Sequence, residues 1–510
     1  MILSLADQGS GMVSLGLMVR QAHHKLVRQA HHKLVRQSSP QVVKTRFAPS
    51  PTGVLHVGSA YTALFNFAFA KQNKGKFLLR IEDTDRTRLV KGAEEQIIAA
   101  LAWLGLTWDE GPIRQSERLP FYQRYAKELV EKGKAYYCFC SEERLAKMRK
   151  SQQEKDLPPK YDGRCRRLDP KKAGERAKRE KYVIRLKVPE SGETSFTDLI
   201  RGRITFKNAE IDDQVLLKSD GFPTYHLAVV VDDHLMKVTH VIRAEEWISS
   251  TPKHILLYRA LGWKIPTFAH LPLLRERDRA KLSKRHGAVG VVEFQEEGYL
   301  PEALLNFLAL LGWSHPKGKD IFPLSEFIKK LDLARISTSA PVFDRGKLDW
   351  MNGEYMRKLK IKNLKLRICE YLKNYRGLDV NPDLIEQIVP LIRERIKKLS
   401  EFEEMAGFFF KDVAWSPELL VQQGETTVSA KEKLEESSKL LRGVEDWKAE
   451  KLEREMRKLA KNRGWKAPVL FMTLRVAISG KKVSPPLFES MEVLEREKVL
   501  QRIEKAASVL

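Results

Sequence analysis

The residues best placed to do chemistry follow a rigid turn. Ala48-Pro49-Ser50-Pro51-Thr52-Gly53 holds two prolines, which fix φ and remove amide donors, so this stretch reads as a turn and not a helix. His56-Val57-Gly58-Ser59 comes next and opens a strongly helical run, Ala60 to Gln72. A His and a Gly therefore stand where a helix presents its free N–H groups and positive dipole end, a ready site for an anion. Neither the GxxxxGK[ST] pattern nor GxGxxG is present. Far along the chain, Lys281-Leu282-Ser283-Lys284-Arg285 forms a second cationic element in a basic loop after Leu271–Leu274. On its own such a charge run reads as a solvated face. A third group is Cys138-Phe139-Cys140 with Tyr161-Asp162-Gly163-Arg164-Cys165, which gathers three of the four cysteines and leaves Cys369 apart. Three thiolates and one further donor can hold Zn²⁺ tetrahedrally.

Four more stretches accompany these elements: Arg46 before the proline turn, Arg80-Ile81-Glu82-Asp83-Thr84-Asp85-Arg86, Ser219-Asp220-Gly221-Phe222-Pro223-Thr224-Tyr225-His226, and Val241-Ile242-Arg243-Ala244-Glu245-Glu246-Trp247. HVGS and KLSKR resemble the HIGH and KMSKS signatures of class I aminoacyl-tRNA synthetases. The wider text is similar to that of the bacterial-type glutamyl-tRNA synthetases, from about Val43 to the C-terminus. The resemblance implies attack of the glutamate α-carboxylate on the α-phosphorus of ATP, then acyl transfer to the 3′ end of tRNA(Glu). Its partners would be L-glutamate, ATP with Mg²⁺, and tRNA, for a monomer working in the cytoplasm. It leaves open whether tRNA(Gln) is charged as well.

The resemblance also implies roles. His56, Gly58 and Ser59 would meet the nucleotide, with Gly58 letting it approach the backbone. Lys284, with Lys281 behind it, would supply positive charge to the α-phosphate and the leaving pyrophosphate. Arg46, Ser50, Glu82, Tyr225 and Arg243 would form the glutamate pocket, the two guanidinium groups facing carboxylates and Glu82 taking the ammonium. The expected metal ligands are Cys138, Cys140, Cys165 and Tyr161, because Arg167 stands where many relatives carry a Cys or His. Ser59 replaces the second His of HIGH, and Val229 replaces an Asn that touches substrate in some relatives, so the pocket there is expected to be looser or satisfied by water.

Around these residues the sequence alternates strand-like and helical stretches from Thr45 to about Tyr122 and from His226 to about Leu274. That suits a split Rossmann-like, doubly wound α/β domain over 42–122 and 226–276. The segment 123–225 would be an α+β insertion that binds the acceptor stem and carries the knuckle. A stem-contact domain with the KLSKR loop is expected over 277–353, and a helical anticodon-binding domain over 354–510. The long helical tail argues against a shortened relative lacking that domain and against the β-barrels of glutaminyl enzymes. Intact His56, Gly58, Lys284 and Arg243 argue against an RNA-binding protein with a dead site.

Composition narrows the classes further. The 510 residues carry 91 Lys+Arg against 66 Asp+Glu, a formal charge of +25, which favours a polyanionic partner. With 43% hydrophobic and 31% charged residues the chain is not globally disordered. The longest apolar stretch, near Ala303–Trp313, is interrupted by Asn306 and falls short of the roughly 18–20 residues of a membrane span. Four cysteines exclude a disulfide-built scaffold and point to a reducing compartment. Finally, VRQAHHKL at 19–26 repeats at 27–34, so 1–41 reads as a basic, solvated or spurious leader outside the fold.

Overall fold

The computed structural model describes residues 42–276, 278, 282 and 289–510; the leader, Lys281 and Lys284 lie outside these. The described chain forms two compact units. One holds the residues through Val292 together with Leu305–Asp344, the other Glu293–Leu304 together with Arg345–Leu510.

The first unit begins with β1 (Lys44–Phe47), α1 (Val57–Gln72), β2 (Lys76–Ile81), α2 (Ala93–Trp103), β3 (Glu110–Arg114) and α3 (Leu119–Glu131). There follow β4 (Ala135–Cys138), α4 (Glu142–Glu154), α5 (Pro170–Ala177), β5 (Val183–Leu186), β6 (Glu193–Asp198), β7 (Gly202–Lys207) and β8 (Val215–Leu217). Then come α6 (Tyr225–Leu235), β9 (His240–Ala244), α7 (Thr251–Leu261) and β10 (Thr267–Leu271). β1, β2 and β3 pair in parallel in that order, and β10 pairs in parallel with β9. The two sheets meet between β1 and β9, where the Thr239 amide donates to the Lys44 carbonyl at 2.9 Å. Read across that junction, the order is β3-β2-β1-β9-β10, the expected split doubly wound arrangement. The chain reverses its winding between β1 and β9, and in such sheets the crevice outside the strand ends at this point takes ligands.

The segment expected as the insertion is shared between two sheets. β4, β5 and β8 make a small antiparallel sheet. β6 and β7 instead extend the sheet of β9 and β10, β6 pairing with β10 through Asp198 and Phe268.

α1 is apolar on nearly every side, with Val57, Ala60, Leu64, Phe65, Phe67, Ala68 and Phe69 buried, as a helix enclosed by its neighbours must be. Its buried polar residue is a tie: Asn66 Nδ2 donates to the Ile242 carbonyl of β9 at 2.9 Å, while the Thr45 hydroxyl of β1 donates to the Asn66 carbonyl at 2.9 Å. The middle of α1 is thereby fixed against both strands of the junction.

The second unit is helical. Its longer helices are Arg345–Lys358, Ile361–Arg376, Pro382–Ile392, Thr427–Arg442, Ala449–Asn462, Ala467–Ser479 and Arg496–Ser508. Leu364, Ile368, Ile388, Leu434, Met456, Leu474 and Ile503 are fully or almost fully buried within its one core. The helix Pro382–Ile392 ends two residues past Pro390, whose missing amide and ring weaken that turn. Among the described residues no helix is long and apolar enough to cross a membrane.

Gly75 joins α1 to β2 at a point where a Cβ would lie 2.1 Å from the Val43 carbonyl oxygen. Gly75→Ala therefore forces β1 and β2 apart, and we expect a loss of about 1–3 kcal/mol. Urea unfolding followed through the first unit's transition measures it; an unchanged midpoint would contradict the packing described.

Candidate active site

A cavity of about 750 Å³ opens at the carboxyl ends of β1 and β9. Arg46, Ser50, His56, Gly58, Ser59, Glu82, Tyr225 and Arg243 all line it, so every described residue expected for nucleotide or glutamate contact reaches one space. Leu282, the described residue of the KLSKR stretch, lines it too. Val229 does not: it is 1% exposed and packs into the apolar core with Leu227, Val230 and Val231, so the substitution leaves no looseness in the cavity wall.

His56 caps α1. Its Nδ1 accepts from the Gly58 amide at 3.0 Å, which places the proton of the neutral ring on Nε2 and makes that nitrogen a donor. The tight contact expected of Gly58 is with this cap: a Cβ there would lie 3.3 Å from His56 Nδ1. The chain beyond the KLSKR stretch returns to the same place, the Val57 amide donating to the Val289 carbonyl at 2.7 Å and the Val291 amide to the Leu55 carbonyl at 2.8 Å.

Behind the cavity wall lies a buried ion cluster that reaches the cavity through Arg46 and Glu82. Arg46 Nε donates to Asp233 Oδ1 at 3.2 Å, and Arg80 Nη1 donates to the same oxygen at 2.8 Å. Arg80 Nη2 also reaches Glu82 Oε1 at 3.1 Å. Asp232, the neighbour of Asp233 on α6, accepts from Gln115, Arg118 and Tyr122. Burial works against the Asp233 carboxylate, yet Arg46 and Arg80 together hold its pKa below the ordinary value. Burial dominates at Glu82 and raises its pKa in spite of Arg80 and Arg46. Arg80, Asp232 and Asp233 were assigned no role from the sequence. The available signal was a pair of acids closing the apolar run Leu227–Val231.

Arg243, at the end of β9, is held differently. Its Nε donates to His270 Nε2 at 3.2 Å and its Nη1 to the Tyr225 hydroxyl at 3.0 Å. Nη1 also lies 3.3 Å from His254 Nδ1, and Nη2 donates to the Thr251 hydroxyl at 2.8 Å and the Trp247 carbonyl at 3.3 Å. Burial raises the Tyr225 phenol above its ordinary pKa, so its proton stays available for donation.

The knuckle brings together its four expected groups. Cys140 Sγ lies 3.6 Å from Cys165 Sγ and 3.3 Å from the Tyr161 hydroxyl, and Cys138 Sγ lies 3.5 Å from that hydroxyl. The three sulfurs lie within 4.8 Å of one another. Four donors at metal–sulfur distances of about 2.3 Å occupy corners roughly 3.8 Å apart, so the set fits a tetrahedral ion. Arg144 Nη1 donates to Cys140 Sγ at 3.3 Å, and the Arg185 guanidinium lies 4.2 Å from the centre of the Tyr161 ring, so two cations stand beside the donor set, while burial and the neighbouring thiols raise the Tyr161 phenol above its ordinary pKa.

Comparison with known proteins places this geometry. Residues 42–350 match the model of tRNA synthetases class I (E and Q), catalytic domain, and 367–507 match an anticodon binding domain. The chain is 47% identical over 481 residues to a glutamate–tRNA ligase of Dehalococcoides mccartyi, covering 92% of this chain and 98% of the relative. It is likewise 47% identical over 483 residues to one of Thermus thermophilus, covering 91% and 100%. A crystal structure of a glutamate tRNA ligase from Elizabethkingia meningosepticum in complex with its amino acid superposes with a TM-score of 0.81 at 34% identity, covering 92% of this chain and 100% of that one.

Asp233→Ala would leave Arg46 and Arg80 buried without their shared counter-ion, and we expect a loss of about 3–5 kcal/mol. A carboxylate with a depressed folded pKa contributes fully above its unfolded value of about 3.9 and loses that contribution as pH falls through the folded value. The gap between wild type and variant should thus stay constant from pH 7 to about pH 5 and close below about pH 4. Urea unfolding at each pH checks this, and a gap that widens on acidification would refute it.

Proposed function

The chain belongs to the glutamate–tRNA ligase family of class I tRNA synthetases, and we propose that the cavity between β1 and β9 is where it activates L-glutamate with ATP and transfers the glutamyl group to tRNA(Glu). A glutamate α-carboxylate oxygen bonds to the α-phosphorus of ATP, and the bond from that phosphorus to pyrophosphate breaks. A ribose hydroxyl at the 3′ end of tRNA then takes the acyl carbon, and AMP leaves. The observation that carries this reading is the convergence of the eight described residues on one cavity at the switch point.

The roles follow from the chemistry of each group. The Nε2 proton of His56 and the positive dipole end of α1 face the phosphates of ATP, which arrives as its Mg²⁺ complex. Glu82 has one carboxylate oxygen on Arg80 and can offer the other to the α-ammonium. Arg46 uses Nε and Nη2 on Asp233, and its Nη1 has no partner among the described residues, so it can turn to a carboxylate. The Tyr225 oxygen accepts from Arg243, which directs the phenol proton toward the cavity as a donor. Lys284 and Lys281 supply charge to the α-phosphate and the leaving group. The helical second unit, which matches the anticodon-binding model, grips the anticodon end, and a net charge of +25 favours the polyanion.

Cys138, Cys140, Cys165 and Tyr161 would hold Zn²⁺ in the knuckle as a structural ion. Protein purified without chelator should carry about one zinc per chain by mass spectrometry of the metal; a content near zero removes the site.

ATP–pyrophosphate exchange with glutamate, with and without tRNA, tests the activity, and charging of purified tRNA(Glu) and tRNA(Gln) then defines the acceptor. Lys284→Ala should lower the exchange rate about 10²–10³-fold without changing the melting temperature, and His56→Ala should lower it similarly while also lowering the melting temperature, because it removes the α1 cap. Absence of exchange by the wild-type chain under both conditions overturns the assignment.

A further inference from the structure

Arg46 and Arg243 both line the cavity and both are buried, at 4% and 5% exposure, yet their surroundings differ in one respect. Arg46 is paired with the carboxylate of Asp233. None of the hydrogen-bond partners of Arg243 is a carboxylate. Its five N–H groups meet an imidazole nitrogen, a phenol, a second imidazole nitrogen, an aliphatic hydroxyl and a main-chain carbonyl. The aromatic face of Phe268, 5.5 Å from the guanidinium carbon, is also uncharged.

The tautomers needed for this arrangement are mutually consistent. Arginine has no acceptor, so His270 Nε2 and His254 Nδ1 must both be lone pairs. The His270 proton then sits on Nδ1 and is donated to Asp198 Oδ2 at 2.6 Å. The His254 proton sits on Nε2 and is donated to His226 Nδ1 at 3.1 Å. The Thr251 hydroxyl accepts from Arg243 and donates to the Trp247 carbonyl at 3.1 Å. Both His254 and His270 must be neutral for these bonds to exist. Burial favours this by pushing His254 well below its ordinary pKa and His270 below it, while His226 falls to about 3. The nearby carboxylate of Asp198 is directed to the far nitrogen of the His270 ring.

We propose that His254, Thr251 and the His270–Asp198 pair are positioning residues that hold the Arg243 guanidinium by neutral acceptors only, reserving its charge for the side-chain carboxylate of the bound amino acid and so setting the preference for glutamate over glutamine. This rests on the proposed function of the cavity. A guanidinium already neutralised by a protein carboxylate has little reason to prefer an anionic side chain over an amide. One that is buried and unneutralised favours the anion and leaves its charge uncompensated when the amide binds. The Tyr225 hydroxyl, polarised by Arg243, is the donor through which that preference reaches the ligand.

His254 allows a test that changes charge and little else. The Oδ1 of Asn or of Asp falls near the position of His254 Nδ1, so either variant can accept from Arg243 Nη1, and only Asp adds a negative charge. Exchange kinetics with tRNA present are measured for glutamate and for glutamine, and glutamate binding is measured by calorimetry on the full chain. His254→Asn should stay within about tenfold of wild type in its glutamate-to-glutamine ratio of kcat/KM. His254→Asp should lower that ratio about 10²-fold, mainly by raising KM and Kd for glutamate, without a fall in kcat/KM for glutamine. A merely structural role would depress both substrates in both variants. Equal ratios for the Asp and Asn variants overturn the inference even when wild type is active. A wild type that binds glutamate but performs no exchange overturns the functional assignment instead, and the binding comparison still decides the role of His254. Thr251→Asn and Thr251→Asp, which act on the other amino group, repeat the comparison should the His254 variants unfold.

Discussion

The carboxylate of Asp233 lies where three distant parts of the chain must meet. It accepts from Arg46 at the end of β1 and from Arg80 on β2, while Asp233 itself belongs to α6, 187 and 153 residues away in sequence. Taking such charges out of water costs several kcal/mol each, and their attraction offsets this only when every member is present. The cluster is therefore better understood as a constraint than as a source of stability. It fixes α6 against β1 and β2, and α6 begins with Tyr225, eight residues or about 12 Å before Asp233 along a rigid helix. The position of a cavity-lining phenol thus follows from a buried ion cluster that it does not touch.

The same junction separates two uses of arginine. Arg46 and Arg80 share carboxylates, so their charge is largely spent within the protein. Arg243 sits among dipoles. Dipoles can satisfy every N–H of a guanidinium without cancelling its monopole, and in a medium less polar than water that monopole acts on whatever enters the cavity. The two cavity arginines are therefore equipped differently. Arg46 has one amino group left to offer, whereas Arg243 offers a field transmitted through Tyr225.

Much of this architecture was legible in the sequence, for physical reasons. A proline-rich turn before an apolar helix can be read locally, and HVGS does cap α1. The amphipathic helices of the second unit carry a 3.6-residue period that reveals a helical domain without any long-range information, and Pro390 stands near the end of one of them. What escaped was long-range polar pairing. Asp198 and His270 are 72 residues apart, and Asp198 lay in a segment that read as a separate insertion, with nothing to show that β6 joins β10. His254 carries no local signal, since the partners of its ring lie on other elements. The acid pair in α6 stood at the edge of an apolar run, where a helical pattern tolerates charge, so its burial was not apparent. Such partners become visible only when strand order is known, because burial and geometry define them, and composition does not.

The knuckle follows a different logic. Its own apolar cluster consists of Tyr136, Cys138, Tyr161 and Cys165, and the thirteen-residue α4 beside it contributes no buried residue at all. At about 1.5–3 kcal/mol per buried side chain, so small a cluster cannot offset the ordering of the segments around it. Polar ties help: Gln152 brackets Lys160, donating to its carbonyl at 2.6 Å and accepting from its amide at 3.2 Å, and Ser141 caps α4. A tetrahedral ion drawn from three cysteines and a phenol would contribute on the scale of about 10–16 kcal/mol, enough to make the difference locally. Its ligands stand on β4 and on the loops that follow, and none belongs to β1, β9 or α6. An ion held here would therefore order the knuckle without bearing on the Asp233 junction or on the cavity it positions.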